Sequence, residues 1–170
     1  MKKMLTILIV CGLSLTAVIA TAAQHDDQTA HVACSYCGMD RVKFAQSRML
    51  VEYEDGGEVG TCSIHCMALE FANAIDRMPK RLLVGDFNSR ELINADKAVW
   101  VLGGDKRGVM TSRAKWAFID QSAAEAFIAK HGGDMVSFDQ AMKASYEDMY
   151  QDTQRIRKMR AMKKMKMKKQ

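Results

Sequence analysis

Two short segments of the chain hold a dense group of soft sulfur donors, and any fold has to accommodate both segments. The first contains Cys34, Cys37 and Met39, and the second contains Cys62 and Cys66. Thiolate and thioether sulfur together favour a soft metal ion of low charge, above all Cu(I). The spacing is compatible with three kinds of structure, which are a metal site, a redox pair and a set of disulfides.

The alternatives to copper each leave part of this pattern unused. Disulfides in an oxidising compartment would pair four cysteines in one of three ways. A redox-active Cys-x-x-Cys is typical of a helix N-terminus, but Gly38 follows Cys37 directly and no helix is indicated there. Four thiolates suit structural zinc, yet zinc does not favour thioether sulfur. Met39 therefore favours Cu(I), with zinc as the less favoured metal. A thiol–disulfide oxidoreductase using Cys34 and Cys37 and a structural zinc or disulfide adaptor domain stay open.

Local spacing predicts how each donor is presented. Cys37 and Met39, two residues apart in an expected extended stretch, should point the same way. Cys62 is expected to end a strand and Cys66 to lie in the first turn of the next helix, so that both face one point. Ser63 and His65 flank these cysteines, whereas His25 and His31 lie in a polar segment and are assigned no ligand role. No nucleophile–base pair, phosphate loop or carboxylate dyad stands out, so we do not expect an enzyme.

The N-terminus has the pattern of a secretory signal peptide. Lys2 and Lys3 precede an apolar run, and small residues surround an expected cleavage site after Ala22. We therefore interpret residues 1–22 as a signal peptide and expect export to the periplasm. Cys11 lies inside the apolar run without a small residue before it, so lipid anchoring is not expected.

The net charge of +5 comes from the C-terminal end of the chain. Residues 155–170 contain nine of the 25 Lys and Arg residues and no acidic residue. Because an exported protein rarely meets nucleic acid, we expect no nucleic-acid binding. A solvated tail, or one that touches an anionic membrane surface, is favoured. No copper-binding role is assigned to the methionines of the tail, Met159, Met162, Met165 and Met167.

The first half of the body predicts a β-β-α-β unit. An acidic Gly-Gly turn at 54–57 predicts a hairpin between two strands. Ser63 is a candidate N-cap for a helix that ends near Met78, because Pro79 cannot continue it. The predicted strands are 47–53, 58–62 and 81–87.

The second half predicts the same order of elements. A capping box at 122–125 predicts a helix that ends near Gly132, and a second box at 137–140 opens a long final helix. Met142 and Met149 lie at helical spacing in that helix and are interpreted as core residues. The predicted strands are 98–102, 115–119 and 135–136. The fold class is therefore α+β, with two tandem β-β-α-β units followed by a C-terminal helix and a basic Met/Lys-rich tail.

This order of motifs resembles the NosL family of copper-binding accessory proteins. The resemblance rests on Cys34-x-x-Cys37-Gly38-Met39, followed by a strand, an acidic hairpin and a helix. It continues through the strand at 98–103 and through Gly108-Val109-Met110, where the family commonly has Pro in place of Val. It then includes the strand and helix at 116–127 and the closing strand at 132–138. We interpret 32–142 as a NosL-like copper-binding domain, with a linker at 23–31 before it and a helical extension and basic tail at 143–170 after it.

The resemblance implies a function and a set of ligands. Members of the family resemble envelope copper chaperones that hold Cu(I) and deliver it by ligand exchange for assembly of nitrous oxide reductase, together with an ABC-type membrane complex. A copper-receiving apo-enzyme and such a complex are therefore the expected partners. Met110 enters the ligand set through the resemblance alone. The expected metal ligands are Cys34, Cys37, Met39, Cys62, Cys66 and Met110.

Overall fold

The computed structural model describes residues 26–168, and the chain begins there with a short helix, α1 (Asp26–Ala30). The predicted signal peptide, Cys11 and His25 lie outside the described residues. No helix in the described part of the chain is both long and apolar enough to cross a membrane.

The first unit is an antiparallel sheet with one helix. β1 (Met49–Tyr53) and β2 (Glu58–Thr61) form a hairpin through the predicted turn. α2 (Ile64–Asn73) follows, and β3 (Pro79–Gly85) pairs with the other edge of β1. A short strand that the sequence did not indicate, β4 (Leu92–Asn94), extends the sheet to the order β2-β1-β3-β4.

The second unit repeats this arrangement. β5 (Val99–Leu102) pairs with β6 (Lys115–Phe118), and α3 (Gln121–His131) leads to β7 (Asp134–Val136) on the other edge of β5. The order β6-β5-β7 places the first strand in the middle, as β1 is in the first unit. The final helix, α4 (Phe138–Met167), follows directly. The predicted α+β class with two β-β-α-β units is confirmed.

Two apolar clusters make up the core, and one of them contains the cysteines. The first lies between the four-stranded sheet, α2 and the start of α4, and it includes Met142 with Met149 packed against it, which confirms both as core residues. The second surrounds Cys34, Cys62 and Cys66 with aromatic residues. Those aromatic residues are Phe87, Trp116, Phe118 and Phe127. The site is therefore part of the hydrophobic interior and not a surface patch.

The end of α2 differs from the prediction. The helix ends at Asn73 and not near Met78, and Pro79 begins β3 instead of following the helix end. Arg77 explains the early exit, because its guanidinium pairs with Asp55 in the β1–β2 turn at 2.8 Å and stacks 3.8 Å from the Tyr53 ring centroid. These contacts with the hairpin compete with continuation of the helix.

The helix caps follow the sequence in part. The capping box at Ser137 and Gln140 is present as predicted, with both reciprocal hydrogen bonds. The N-cap of α3 is Asp120 and not Ser122, because the Asp120 carboxylate accepts a hydrogen bond from the Ala123 amide at 2.8 Å. Ser63 occupies the N-cap of α2 without a side-chain cap bond.

The polar segment before the cysteines is not a loose linker where it is described. Part of the predicted linker at 23–31 forms α1, and Asp27 of this helix is buried. Its carboxylate accepts hydrogen bonds from Arg41 at 2.8 Å and from Arg48 at 2.9 Å, and both guanidinium groups are fully buried. The burial of Asp27 raises its pKa, but the hydrogen bonds and positive charges of Arg48 and Arg41 outweigh this and hold the pKa below its usual value.

The C-terminal extension is continuous with the body. α4 passes through the predicted boundary at 142 without a break and runs to Met167, so the basic tail is the end of a helix that starts in the core.

Replacing Asp27 with Asn is expected to lower the free energy of unfolding by about 3–5 kcal/mol, the usual cost of breaking a buried charge pair. Urea denaturation followed by circular dichroism measures it. The folded-state pKa lies below the unfolded-state value, so the stabilisation is present above about pH 4 and is lost as the pH falls through the folded-state pKa. The difference in free energy of unfolding between the unmodified protein and Asp27→Asn should therefore become smaller in strong acid.

Asp76→Asn is the matched control, because Asp76 is exposed in the turn before β3. It should change the free energy of unfolding by less than about 0.5 kcal/mol. Equal free energies of unfolding for Asp27→Asn and Asp76→Asn near neutral pH would contradict a stabilising role for the buried contacts of Asp27 with Arg41 and Arg48.

Candidate metal centre

A tight turn presents the first pair of cysteines. The amide of Cys34 donates to the carbonyl of Met39 at 2.8 Å, and the amide of Gly38 donates to the carbonyl of Cys34 at 2.9 Å. Gly38 has φ +73°, a left-handed conformation that glycine adopts at little cost. The expected extended stretch from Cys37 to Met39 is therefore wrong, because the chain reverses between the two residues.

The second pair lies where β2 passes into α2. Cys62 follows the last residue of β2 and Cys66 lies in the first turn of α2, as predicted. The Ser47 hydroxyl donates to the Cys62 carbonyl at 2.8 Å, which fixes the backbone at the strand end. The Ser35 amide and hydroxyl both donate to the carbonyl of Gly60 at 3.1 Å, so the turn is attached directly to β2.

The two pairs converge on one point. The sulfur atoms of Cys34, Cys37, Cys62 and Cys66 all lie within 4.8 Å of one another. The Cys37 and Cys62 sulfurs are 3.4 Å apart, and the Cys62 and Cys66 sulfurs are 3.8 Å apart. All of these cysteines are free thiols. The arrangement is a four-sulfur cage of the size that one metal ion requires.

The four thiols share their protons unequally. Hydrogen bonds from the Cys37, Cys62 and Cys66 thiols stabilise a thiolate at Cys34 and lower its pKa. The same interaction keeps the protons on Cys62 and Cys66, whose pKa values are raised because each donates to Cys34 and is buried. A cage with one favoured thiolate and protonated neighbours has to release protons when several sulfurs bind a metal.

The cage has a closed side and an open side. Cys62 and Cys66 are completely buried, and Cys34 is 3% exposed, whereas Cys37 is partly accessible. Cys37 therefore marks the side of the cage that is nearest to solvent.

The two predicted thioether ligands border the cysteine-containing cluster. Met39 and Met110 pack against the cysteine-containing cluster, and both line a groove of about 900 Å³. Met110 has φ +63°, a conformation that is strained for a residue with a side chain and that occurs where the surroundings hold it in place. All six predicted ligands therefore belong to one region of the fold.

The histidines take other places. His31 contacts Glu58 at 3.4 Å on the surface of β2. His65 is buried, and its Nδ1 is 3.8 Å from the Asp152 carboxylate of α4. Burial lowers the pKa of His65 below its usual value. His65 therefore lies between α2 and α4, and the cage itself consists of the four cysteines.

Sequence reasoning missed the part of α4 that reaches this region. Arg160 donates a hydrogen bond from Nη2 to the carbonyl of Cys37 at 3.2 Å, and Arg155, Ile156 and Met159 line the same groove as Met110. The composition of the tail indicated only a charged end. The one available signal was the uninterrupted helical pattern from Ser137 onward, which carries these residues back over the site.

Limited alkylation of the reduced mature protein should modify Cys37 about tenfold faster than the other three cysteines of the cage, because Cys37 is the one partly accessible member of the cage. Mass spectrometry of peptides after a short exposure to iodoacetamide measures the order. Unfolding in urea should make the four rates similar. Faster modification of Cys62 or Cys66 in the folded protein would contradict the closed side of the cage.

Comparison with known proteins agrees with this architecture. A search of curated proteins finds no match. Among solved structures, the copper chaperone NosL from Shewanella denitrificans is similar, with a TM-score of 0.50 and 24% sequence identity over 63% of this chain and 87% of that chain. At this identity the likeness concerns the fold. The NosL family model matches residues 26–146, which include the turn, both cysteine pairs and the start of α4. The chain therefore belongs to the NosL family.

Proposed function

We propose that this protein is a Cu(I) metallochaperone that carries copper and passes it on by ligand exchange. The observation that carries the proposal is the four-sulfur cage, with Met39 and Met110 packed against the cluster that contains it and lining one groove. Membership of the NosL family supports the same function, because a solved structure of similar fold is named a copper chaperone.

The cysteines alone fit either of two metals. Zinc bound by four thiolates at about 2.3 Å separates its sulfurs by about 3.8 Å, close to the 3.4 and 3.8 Å seen here. Met39 and Met110 support copper, because Cu(I) binds thioether sulfur and zinc does not favour it.

The proposed transfer of copper depends on the difference in burial between the closed and the open side of the sulfur cage. Cu(I) accepts few ligands, so it can hold to buried sulfurs while Cys37, Met39 and Met110 exchange at the open side. An incoming sulfur or nitrogen from a partner replaces these ligands one at a time, and the ion stays Cu(I) throughout. The buried wall of Cys62 and Cys66 excludes water and keeps the ion from leaving in other directions.

We extend the proposal to the setting in which copper is delivered. The recipient is a copper enzyme, with nitrous oxide reductase as the candidate that the family suggests, and an ABC-type membrane complex takes part in its assembly. Delivery takes place in the periplasm. The outer face of the end of α4, with exposed Arg157, Lys158 and Lys164, rests against an anionic membrane surface.

The thiol–disulfide oxidoreductase is the weaker alternative. Cys34 and Cys37 lie in a turn and not at the start of a helix, so no helix dipole activates them. The Cys37 sulfur is 3.4 Å from Cys62, in the opposite segment, which suits a shared ion better than exchange within one Cys-x-x-Cys pair.

Replacing Met39 and Met110 together with Leu is expected to weaken Cu(I) binding about ten- to hundredfold, while zinc affinity changes less than about threefold. Leucine keeps the volume and removes the thioether. Competition with a Cu(I) chelator under reducing conditions, and with a zinc chelator in parallel, gives both affinities.

Met142→Leu with Met149→Leu is the matched control, because these methionines belong to the other apolar cluster. It should leave both metal affinities unchanged. Equal loss of Cu(I) and zinc in the Met39/Met110 variant, or no loss of either, would count against a copper site that uses the thioethers.

Replacing Cys62 and Cys66 together with Ser should abolish high-affinity binding of either metal, because the closed wall of the cage is lost. Stoichiometry by metal analysis after gel filtration checks this. Retention of one tightly held Cu(I) ion by the Cys62/Cys66 variant would restrict the site to Cys34, Cys37 and the methionines.

A further inference from the structure

The groove beside the sulfur cage is strongly cationic. Its lining includes Arg160, described above, and six further cationic side chains, and none of the described residues that line it is acidic. Those six are Lys43, Arg90, Lys106, Arg107, Arg155 and Lys163. Within residues 26–168 only Arg155 of this set makes an ion pair, a 3.6 Å contact with Asp152. So many uncompensated charges around one concavity attract an anionic group.

The groove also holds two N–H groups without acceptors. The indole Nε1 of Trp116 and the Nε of Arg155 are buried, and neither has a hydrogen-bond partner among the described residues. Trp116 is 2% exposed and lines the groove together with Phe44 and Phe87. A buried donor that is left unpaired is costly, so a small shift of either side chain towards an acceptor in the groove would be favourable.

The groove is connected to the metal cage by two routes. Met39 and Met110 belong both to its lining and to the cysteine-containing cluster. Arg160 lines it and donates to the carbonyl of Cys37, the one partly accessible cysteine of the cage. A molecule in the groove therefore stands at the open side of the cage and competes for the arginine that restrains the Cys37 turn.

We propose that this groove docks an acidic segment of the protein that exchanges copper with this chain. The inference rests on the proposed copper function and adds the chemistry of the partner. Carboxylates of the segment bind Arg160 and Lys163 on α4 and Lys106 on the facing loop, and its apolar side chains pack on Phe44, Phe87 and Trp116.

Docking prepares the release of copper. A carboxylate that binds Arg160 draws the guanidinium away from the Cys37 carbonyl, which frees the turn that carries Cys37 and Met39. A methionine, histidine or cysteine in the docked segment then replaces these ligands on Cu(I) with no change of oxidation state. Release is therefore coupled to the arrival of the recipient, and the ion stays held while the groove is empty.

The shape of the groove favours a polypeptide over a membrane as the occupant. The groove is a concavity whose lining includes the aromatic side chains of Phe44, Phe87 and Trp116. A flat layer of headgroups does not enter such a concavity, whereas an extended chain with carboxylates and one apolar side chain does. The membrane-facing cations Arg157, Lys158 and Lys164 do not line this groove.

A short synthetic peptide in which glutamates flank one methionine tests the docking. The two indole N–H resonances of ¹⁵N-labelled mature protein report on it, and Trp116→Phe assigns them. The Trp116 signal should move on titration, whereas that of Trp100, which donates to the Ala95 carbonyl at 2.9 Å, should stay in place. A peptide with Gln in place of every Glu should bind at least about tenfold more weakly.

Lys106→Glu with Lys163→Glu should weaken peptide binding at least about tenfold. Arg157→Glu with Lys158→Glu makes the same change of net charge outside the groove and should weaken binding less than about threefold. Similar losses in the two variants overturn the proposal, as does equal binding of the Gln peptide. Two further outcomes would overturn the proposal. In the first, the protein binds vesicles of anionic phospholipid but no peptide, and only the Lys106/Lys163 variant loses vesicle binding. In the second, the protein self-associates through the groove.

The coupling has its own readout. The Glu peptide should speed transfer of Cu(I) to a chelator from the unmodified protein, whereas Arg160→Gln should release Cu(I) faster without peptide and gain nothing from it. Peptide-independent release from the unmodified protein overturns the coupling. Cu(I) affinity measured on the same samples distinguishes failure of the docking proposal from failure of the proposed copper function. Normal Cu(I) binding without peptide binding would exclude only the docking proposal. Peptide binding without Cu(I) binding would exclude the chaperone function.

Discussion

The buried guanidinium of Arg41 holds the two cysteine segments together. It is completely buried and donates to the carbonyl of Met49 in β1 at 3.0 Å and to that of Thr61 at the end of β2 at 3.1 Å. Arg41 lies two residues after Met39, and Thr61 lies immediately before Cys62. One side chain therefore sets the separation of the two sulfur pairs, and Asp27 supplies the charge that makes its burial tolerable.

The repeated β-β-α-β pattern was accessible to sequence reasoning because each element carries a local signal. The Gly-Gly turn at 54–57 and the capping box at Ser137 depend on neighbouring residues alone, and the structure contains both. The burial of Arg41, Arg48 and Asp27 carries no such signal, since charged residues are expected at the surface. The stop of α2 at Asn73 was missed for a related reason, because Arg77 leaves the helix to meet a hairpin that lies far away in sequence.

The candidate site, like the fold, was predictable from sequence only where its residues are related by local spacing. The cysteines could be grouped from spacing, because Cys-x-x-Cys is local and Cys62 and Cys66 join a strand end to a first helical turn. Resemblance supplied Met110, whose position in a loop between β5 and β6 has no local relation to the turn at 34–39. The contact between Arg160 and the Cys37 carbonyl joins residues 123 apart in sequence. Only the path of α4 through space brings them together, so neither pattern nor composition indicated the cationic groove.

α4 gives the metal site a property that the two β-β-α-β units lack on their own. Its first turns pack into the apolar core through Ala141 and Met142, so its direction is fixed where it begins. Asp152, buried midway, accepts from the Ser112 amide at 2.8 Å close to Met110 and faces His65 beside Cys66. The cationic turns beyond Asp152 are thereby held over the open side of the cage. A cation repels a metal cation and attracts carboxylates, so these charges suit both retention of the proposed Cu(I) cargo and the approach of the proposed acidic partner.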